Sequence, residues 1–163
     1  HNDVLAGVVV TNSLELYEQL FYNLNTTGAV LSPFDSYQLI RGLKTLSLRM
    51  ERSTANAREI VAYLKGSPAV KEVLYTGRGG MISFKVADES RIPHILNSLK
   101  VFSFAESLGG VESLITYPTT QTHADIPVEV RHSYGLTDDL LRLSIGIEDA
   151  RDLIADLRQA LEG

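Results

Sequence analysis

The sequence has no cysteine, no long apolar run and no excess of basic residues. Without cysteine among its 163 residues, the chain cannot form a disulfide scaffold, a thiol nucleophile or a cysteine zinc site. Its longest apolar stretch, Val4 to Val10, is interrupted by Gly7 and is far shorter than the roughly 18 residues that cross a bilayer. The 15 Lys and Arg residues against 20 Asp and Glu give a net charge of -5, which argues against a module that binds nucleic acid by neutralising its phosphates.

What is present is the composition of a globular protein with a buried core. Hydrophobic residues make up 44% and charged residues 21%, and the length suits one domain or one large and one small lobe. The sequence opens on His1-Asn2-Asp3, with neither an initiator methionine nor a signal-peptide pattern. We therefore expect a piece of a longer soluble protein, and the absence of cysteine fits a cytoplasmic location.

The first third of the sequence predicts one strand followed by helices. Val4 to Val10 is short and rich in β-branched residues, which indicates a strand buried on both faces. Asn12 or Ser13 is expected to cap a helix that ends near Asn25, and Ser32-Pro33 has the cap-then-proline order that begins another. The stretch 34–64 fits either one long helix or two helices broken near Ser53-Thr54.

The pattern changes after Gly66-Ser67-Pro68, where short strands begin to alternate with helices. The predicted strands are 70–75, 81–86, 101–105, 113–117 and 141–147, and the predicted helices are 90–99, 128–134 and 148–161. The strand at 141–147 alternates apolar and polar residues, as a half-buried strand does. The fold class is therefore α/β or α+β, with a boundary expected between residues 53 and 66.

Most of the candidate chemical motifs have a simpler structural explanation. Four histidines, at positions 1, 94, 123 and 132, lack the spacing of metal ligands, so no metal site is expected. Gly77-Arg78-Gly79-Gly80 lacks the spacing of a phosphate-binding loop and is better explained as a tight hairpin.

Arg142 is more informative because it lies in an otherwise apolar strand, Leu140–Ile147. A guanidinium in such a place can bind a carboxylate with two parallel hydrogen bonds, although an arginine on a solvent-facing side of the strand fits as well. Ser107 and Thr122, in two polar loops, would complete a carboxylate clamp with Arg142. Spacing alone does not bring the three together, so the residues by themselves indicate an acidic α/β chain with a candidate anion site.

Several longer stretches resemble the pyridoxal-phosphate (PLP) enzymes of cysteine and methionine metabolism, the trans-sulfuration family. They recur in the family's order and cover nearly the whole chain. The matching stretches are HNDVLAGVVV at 1–10, RGLKTLSLRM at 41–50, GRGGMISF at 77–84, FAESLGGVESLITYP at 104–118, TH at 122–123 and RLSIGIED at 142–149.

The resemblance implies an α/β architecture in two parts. Residues 1–53 would be the end of the large cofactor-binding domain, contributing a strand and helices. Residues 54–163 would be the C-terminal small domain, with a mostly antiparallel sheet covered by helices.

The resemblance also implies a role for four residues. Arg142 would hold the α-carboxylate of an amino-acid substrate, and Ser107 and Thr122 would line the same site. Glu106 would face the distal part of the substrate and influence which bond is made or broken. Fixing the carboxylate orients the bond to the α-hydrogen relative to the cofactor, which is catalysis by orientation.

The family's catalytic lysine is not matched by any residue of this chain. In the family it precedes a H-[SN]-D sequence, and here that sequence is His1-Asn2-Asp3, the first three residues. The five lysines present, at 44, 65, 71, 85 and 100, are not in that motif. The resemblance thus implies that the lysine and the PLP phosphate-binding loop lie upstream, so no catalytic residue is expected here and this piece alone is expected to be inactive.

Two functional readings remain open. The first is the C-terminal part of a cytoplasmic PLP enzyme, with cystathionine γ-synthase preferred and γ-lyase or β-lyase as alternatives. In that reading the partners are an amino-acid substrate, the rest of the enzyme and further subunits of a homotetramer, with neither nucleic acid nor membrane. The second is a non-catalytic binding or assembly module, or half of a split enzyme.

Overall fold

The computed structural model describes all residues from 1 to 163, and the chain divides into two compact units. The first unit is His1–Leu46 and the second is Ser47–Gly163. The mixed α/β class predicted from the sequence is confirmed. The assignment of residues 1–53 and 54–163 to two different domains stays a prediction.

The first unit contains two helices whose starts are those predicted. Helix α1 spans Leu14–Thr27, and Ser13 caps it by accepting a hydrogen bond from the Leu16 amide. Helix α2 spans Pro33–Leu43 and is capped by Ser32. No residue of the first unit is buried, which means that this unit has no core of its own.

The predicted strand at Val4–Val10 is wrong. These residues have no regular structure, and Leu5 and Val10 are 97% and 85% exposed. A strand needs a neighbour to bond its amides and carbonyls, and the five strands of the chain pair only with one another. Residues 4–10 have the composition of a buried strand, but no strand of this chain pairs with them.

Neither alternative for residues 34–64, one long helix or two helices broken near Ser53-Thr54, is correct. Helix α3 runs without interruption over Leu46–Gly66, and the break falls earlier, at the turn that separates it from α2. Ser53 is tolerated within the helix because its hydroxyl donates to the Met50 carbonyl. The hydroxyl of Thr54 contacts the neighbouring hairpin, where it accepts a hydrogen bond from the Gly79 amide.

The second unit is built on one five-stranded sheet. Its strands are β1 Val70–Leu74, β2 Met81–Val86, β3 Ser103–Phe104, β4 Leu114–Thr116 and β5 Leu140–Ser144. Their order is β1-β2-β5-β4-β3, and every pair is antiparallel except β3 with β4. The sheet is therefore mostly antiparallel, as predicted.

Strand β5 differs from its prediction in its bounds, which are Leu140–Ser144 instead of 141–147, and in its burial. It was expected to be half-buried, but four of its five residues are buried, because β5 lies between β2 and β4 in the middle of the sheet. The exception is Arg142, which is only partly buried.

Helices cover one face of the sheet and enclose the core. They are the C-terminal part of α3, α4 (Ile92–Ser98, after a short 3-10 turn at Glu89–Arg91) and α6 (Ala150–Glu162), while the short α5 spans Val128–Ser133. The largest fully buried side chains come from these helices, from alternate positions of the strands and from Ile145 just after β5. They are Ile60, Leu64, Ile82, Phe84, Ile92, Ile95, Ile115, Leu141, Leu143, Ile145, Leu153 and Leu157.

Candidate functional site

Arg142 lies at the centre of the sheet, on the face opposite the helices. Its neighbours in β5, Leu141 and Leu143, are fully buried in the helix-covered core, so the alternation of the strand turns Arg142 to the other face. The register places it directly across from Ser83 on β2 and Thr116 on β4. A long cationic side chain thus lies between Ser83 and Thr116 of the two adjacent strands.

The guanidinium of Arg142 has few partners within the chain. Its Nη2 donates to the Thr116 hydroxyl at 3.4 Å, while its Nε is buried and forms no hydrogen bond. None of the ion pairs in the structure involves Arg142. A partly buried cation without an acidic partner costs free energy that a bound anion would recover. The arrangement is suited to a carboxylate.

Glu106 and Ser107 lie in the loop that leaves β3. Glu106 is exposed and Ser107 is partly buried, and neither side chain forms a hydrogen bond or an ion pair with the rest of the chain. The residue before them, Ala105, is fixed on both sides. Its amide donates to the Ile115 carbonyl at 3.1 Å, and its carbonyl accepts from the Thr116 hydroxyl at 3.1 Å.

The far end of this loop is fastened to β5 and to the residues that follow it. The Gly109 amide donates to the Ser144 hydroxyl at 2.9 Å. Ser113 donates to the Glu148 carboxylate from both its amide, at 2.6 Å, and its hydroxyl, at 2.9 Å, and that hydroxyl accepts from the Gly146 amide. The loop with Glu106 and Ser107 is therefore anchored to the same strand that carries Arg142.

Helix α3 also contacts the residues that follow β5. The amide group of Asn56, which is 1% exposed, donates to the carbonyls of Gly146 at 3.2 Å and Glu148 at 2.8 Å. The Arg52 guanidinium also donates to the Glu148 carbonyl, at 3.3 Å. The end of β5 is consequently fixed by the helical layer as well as by the sheet.

Thr122 lies in the polar segment that follows β4. Its hydroxyl is 2.6 Å from Nδ1 of His123, and the segment is held by the buried Arg131, whose Nη1 donates to the Thr119 carbonyl at 2.9 Å. No hydrogen bond links Thr122 to Arg142 or to Ser107. Among the predicted site residues, the structure thus connects Arg142 with the Glu106–Ser107 loop, through Thr116, and leaves Thr122 on a separate segment.

Three residues of this arrangement were missed by sequence reasoning: Thr116, Arg131 and Glu148. Thr116 falls in a predicted strand, but its position opposite Arg142 depends on strand pairing across 26 residues. Glu148 lies just before α6, and its carboxylate binds Ser113, 35 residues earlier in the chain, a contact that no local pattern predicts. Arg131 falls in a short predicted helix, but its contact with the Thr119 carbonyl lies 12 residues away.

None of the five lysines of this chain is suited to holding PLP. Lys71 and Lys85 are ion-paired with Asp139 and Glu72, and Lys44, Lys65 and Lys100 are exposed at the surface. The structure also has no group of three or more His, Cys, Asp or Glu residues placed to hold a metal ion. None of its helices is both long and apolar enough to span a membrane.

The sequence matches relatives of known activity over almost its whole length. The family model described as "Cys/Met metabolism PLP-dependent enzyme" matches residues 1–162. A cystathionine γ-synthase/O-acetylhomoserine (thiol)-lyase of Bacillus subtilis is 55% identical over 161 residues, which cover 99% of this chain and 43% of the relative. A cystathionine γ-lyase of the same organism is 49% identical over 178 aligned positions, which cover 99% of this chain and 47% of the relative.

The fold is shared with solved structures of the same enzymes. The crystal structure of a cystathionine γ-synthase from Xanthomonas oryzae pv. oryzae, in complex with aminoacrylate and cysteine, superposes with a TM-score of 0.91 at 41% identity. The superposition covers 99% of this chain and 46% of that one, so the chain spans less than half the length of the relatives it matches. By its sequence and by its fold, the chain belongs to the Cys/Met metabolism PLP-dependent enzyme family.

Proposed function

We propose that this chain provides the substrate-carboxylate site of a PLP-dependent trans-sulfuration enzyme. The observation that carries the proposal is Arg142, a partly buried cation with no acidic partner and with a buried Nε that forms no hydrogen bond. Enzymes of this family act on amino acids, whose α-carboxylate is the planar anion that a guanidinium binds best. Arg142 would bind that carboxylate and so fix the orientation of the substrate's α-carbon.

The other site residues would act around the same substrate. Ser107 and Thr122 would each offer a hydroxyl to the carboxylate, and Glu106, exposed at the head of its loop, would face the distal part of the substrate. The anchoring of the Glu106–Ser107 loop to the strand of Arg142 supports this assignment, since it keeps the loop at a constant place relative to the guanidinium. Thr122 would complete the site from its separate segment.

The γ-synthase reaction is the preferred one, in which cysteine sulfur replaces the acyloxy group of an acyl-homoserine. Support comes from the alignments described above. The relative named γ-synthase aligns over 161 positions, whereas the γ-lyase alignment has 178 positions for a chain of 163 residues. At least 15 positions of that γ-lyase therefore have no counterpart here, and the identity is lower as well. γ-Lyase and β-lyase activities are the alternatives.

The cofactor would be held by residues outside this chain. PLP supplies an electron sink for the family's chemistry, and the chain's own lysines are paired or exposed at the surface. The first unit, which has no buried residue, would be covered by the rest of a cofactor-binding domain. We accordingly propose that residues 1–163 alone are inactive, and that the complete enzyme is a cytoplasmic homo-oligomer.

Product analysis of the complete polypeptide tests the choice of reaction. With O-acetylhomoserine and cysteine we expect cystathionine as the main product. Release of pyruvate from cystathionine, without any formation of cystathionine, would instead assign the chain to the β-lyases.

Borohydride reduction with PLP tests where the cofactor is held. We expect no pyridoxyl adduct on residues 1–163, either as the isolated chain or in the complete polypeptide, where the adduct should map to a lysine elsewhere. A stoichiometric adduct on one of the five lysines of this chain would overturn the proposal.

A further inference from the structure

We propose that Thr116 is a positioning residue of this site, and that its single hydroxyl holds both Arg142 and the loop that carries Glu106. This inference rests on the proposed function, because it concerns how the carboxylate-binding guanidinium is kept in place. Thr116 is 1% exposed and, by this account, touches no substrate. Its role is exerted through two neighbours.

The hydrogen bonds of the Thr116 hydroxyl have only one consistent direction. A threonine hydroxyl has one proton to donate and lone pairs with which to accept. The Ala105 carbonyl can only accept, so the proton goes to that oxygen, 3.1 Å away. The lone pairs are then left for Nη2 of Arg142, which can only donate and lies 3.4 Å away. Both partners are satisfied at once by this one arrangement.

Strand pairing makes the contact unavoidable. Thr116 and Arg142 are direct cross-strand partners in β4 and β5, and side chains of such a pair leave the same face of the sheet close together. The neighbour of Thr116 in β4, Ile115, is fully buried in the core on the opposite face. Thr116 thus has no freedom to turn away from the guanidinium.

The consequence is a mechanical link between two ends of the proposed site. Arg142 would bind the α-carboxylate, and Glu106, next to Ala105, would face the distal part of the same substrate. The Thr116 hydroxyl contacts both the Arg142 guanidinium and the backbone next to Glu106. It would therefore set the distance between Arg142 and Glu106. A side chain without that hydroxyl at position 116 would release the guanidinium and the loop together.

The test compares T116V with T116S in the complete polypeptide. Valine keeps the branched shape and removes the hydroxyl, whereas serine restores the hydroxyl. The probes are L-norvaline, which has a carboxylate, and L-norvalinamide, which lacks it, each measured as a competitive inhibitor. We expect T116V to weaken norvaline about three- to tenfold, the range of one lost hydrogen bond, and to leave norvalinamide within about twofold. T116S should bind both as the wild type does.

Two outcomes would overturn the inference: an unchanged inhibition constant for norvaline in T116V, or an equal loss for both probes, which indicates general disruption. The variant R142M separates this failure from failure of the proposed function. If R142M weakens norvaline but T116V does not, only the role of Thr116 is wrong. If R142M also has no effect, the carboxylate site itself is wrong.

Hydrogen exchange provides a readout that does not depend on binding. In T116V, peptides covering residues 105–110 should exchange faster than in the wild type, because the Ala105 carbonyl has lost its partner. T116S should restore the slow exchange. Identical exchange in T116V and the wild type would show that the hydroxyl does not hold the loop, against the inference.

Discussion

At the scale of single residues, the position of Arg142 is a feature that stability does not explain. Arg142 occupies the centre of a sheet, where most positions are filled by apolar side chains, and its buried Nε has no partner in the chain. A partly buried cation that has no acidic partner opposes folding. We propose that it is there to bind a carboxylate.

Replacing Arg142 should therefore leave stability intact while binding is lost. We expect the free energy of unfolding of R142M to equal that of the wild type or exceed it by up to about 1 kcal/mol, since methionine fills similar space without a charge. Equilibrium urea unfolding measures this. A loss of several kcal/mol would mean that Arg142 is a structural residue, contrary to this account.

At the scale of elements, the loop between β3 and β4 depends on a close approach to β5. Gly146 is in contact with the Val111 carbonyl, and a Cβ at Gly146 would overlap that oxygen and crowd the Glu148 carboxylate. The Ile147 amide also donates to the Val111 carbonyl at 2.9 Å. Only a residue without a side chain fits at position 146.

The substitution G146A is expected to push the loop away from β5. Because the obstructing atom belongs to the backbone, we expect a loss of about 1–3 kcal/mol in the free energy of unfolding and weaker binding of the substrate. G66A is the matched control: Gly66 ends α3, and a Cβ there meets no atom within 4 Å. Denaturant unfolding of both variants checks the prediction. Equal stability of G146A and G66A would contradict it.

A second link between elements makes stability depend on pH. Asp139, just before β5, pairs with Lys71 of β1 and accepts a hydrogen bond from the Thr137 hydroxyl. Although burial favours the neutral form, Lys71 and Thr137 together hold the pKa of Asp139 below its ordinary value. The unfolded chain then takes up this proton before the folded chain does.

The contribution of Asp139 is consequently present above pH 4 or so and declines as the pH falls through its lowered pKa. We expect D139N to be less stable than the wild type at pH 7, with the difference shrinking towards pH 3. Urea midpoints at several pH values measure it. A difference that stays constant down to pH 3 would show that Asp139 does not titrate as proposed.

At the scale of the whole molecule, local features were predictable from the sequence and pairings between distant segments were not. The caps at Ser13 and Ser32 act on amides within three residues, so the sequence alone located the starts of α1 and α2. Val4–Val10 was predicted as a strand from its composition, but a strand also requires a partner, and that information is not local.

The candidate site shows the same division. Arg142 was recognisable because a charged residue interrupts an apolar strand. Thr116 was not, because its importance comes from the order β2-β5-β4, which joins segments far apart in the chain. The roles of Ser107, Thr122 and Glu106 followed from the family resemblance, since their spacing does not bring them together.

We propose above all that Arg142 binds the α-carboxylate of an amino-acid substrate. The most direct measurement is the steady-state KM of the complete polypeptide for its amino-acid substrate, in the wild type and in R142M. We predict a rise in KM of about 10- to 100-fold, the worth of hydrogen bonds between a guanidinium and a carboxylate, in a variant that remains folded and retains its cofactor. An unchanged KM in the folded variant would contradict the claim.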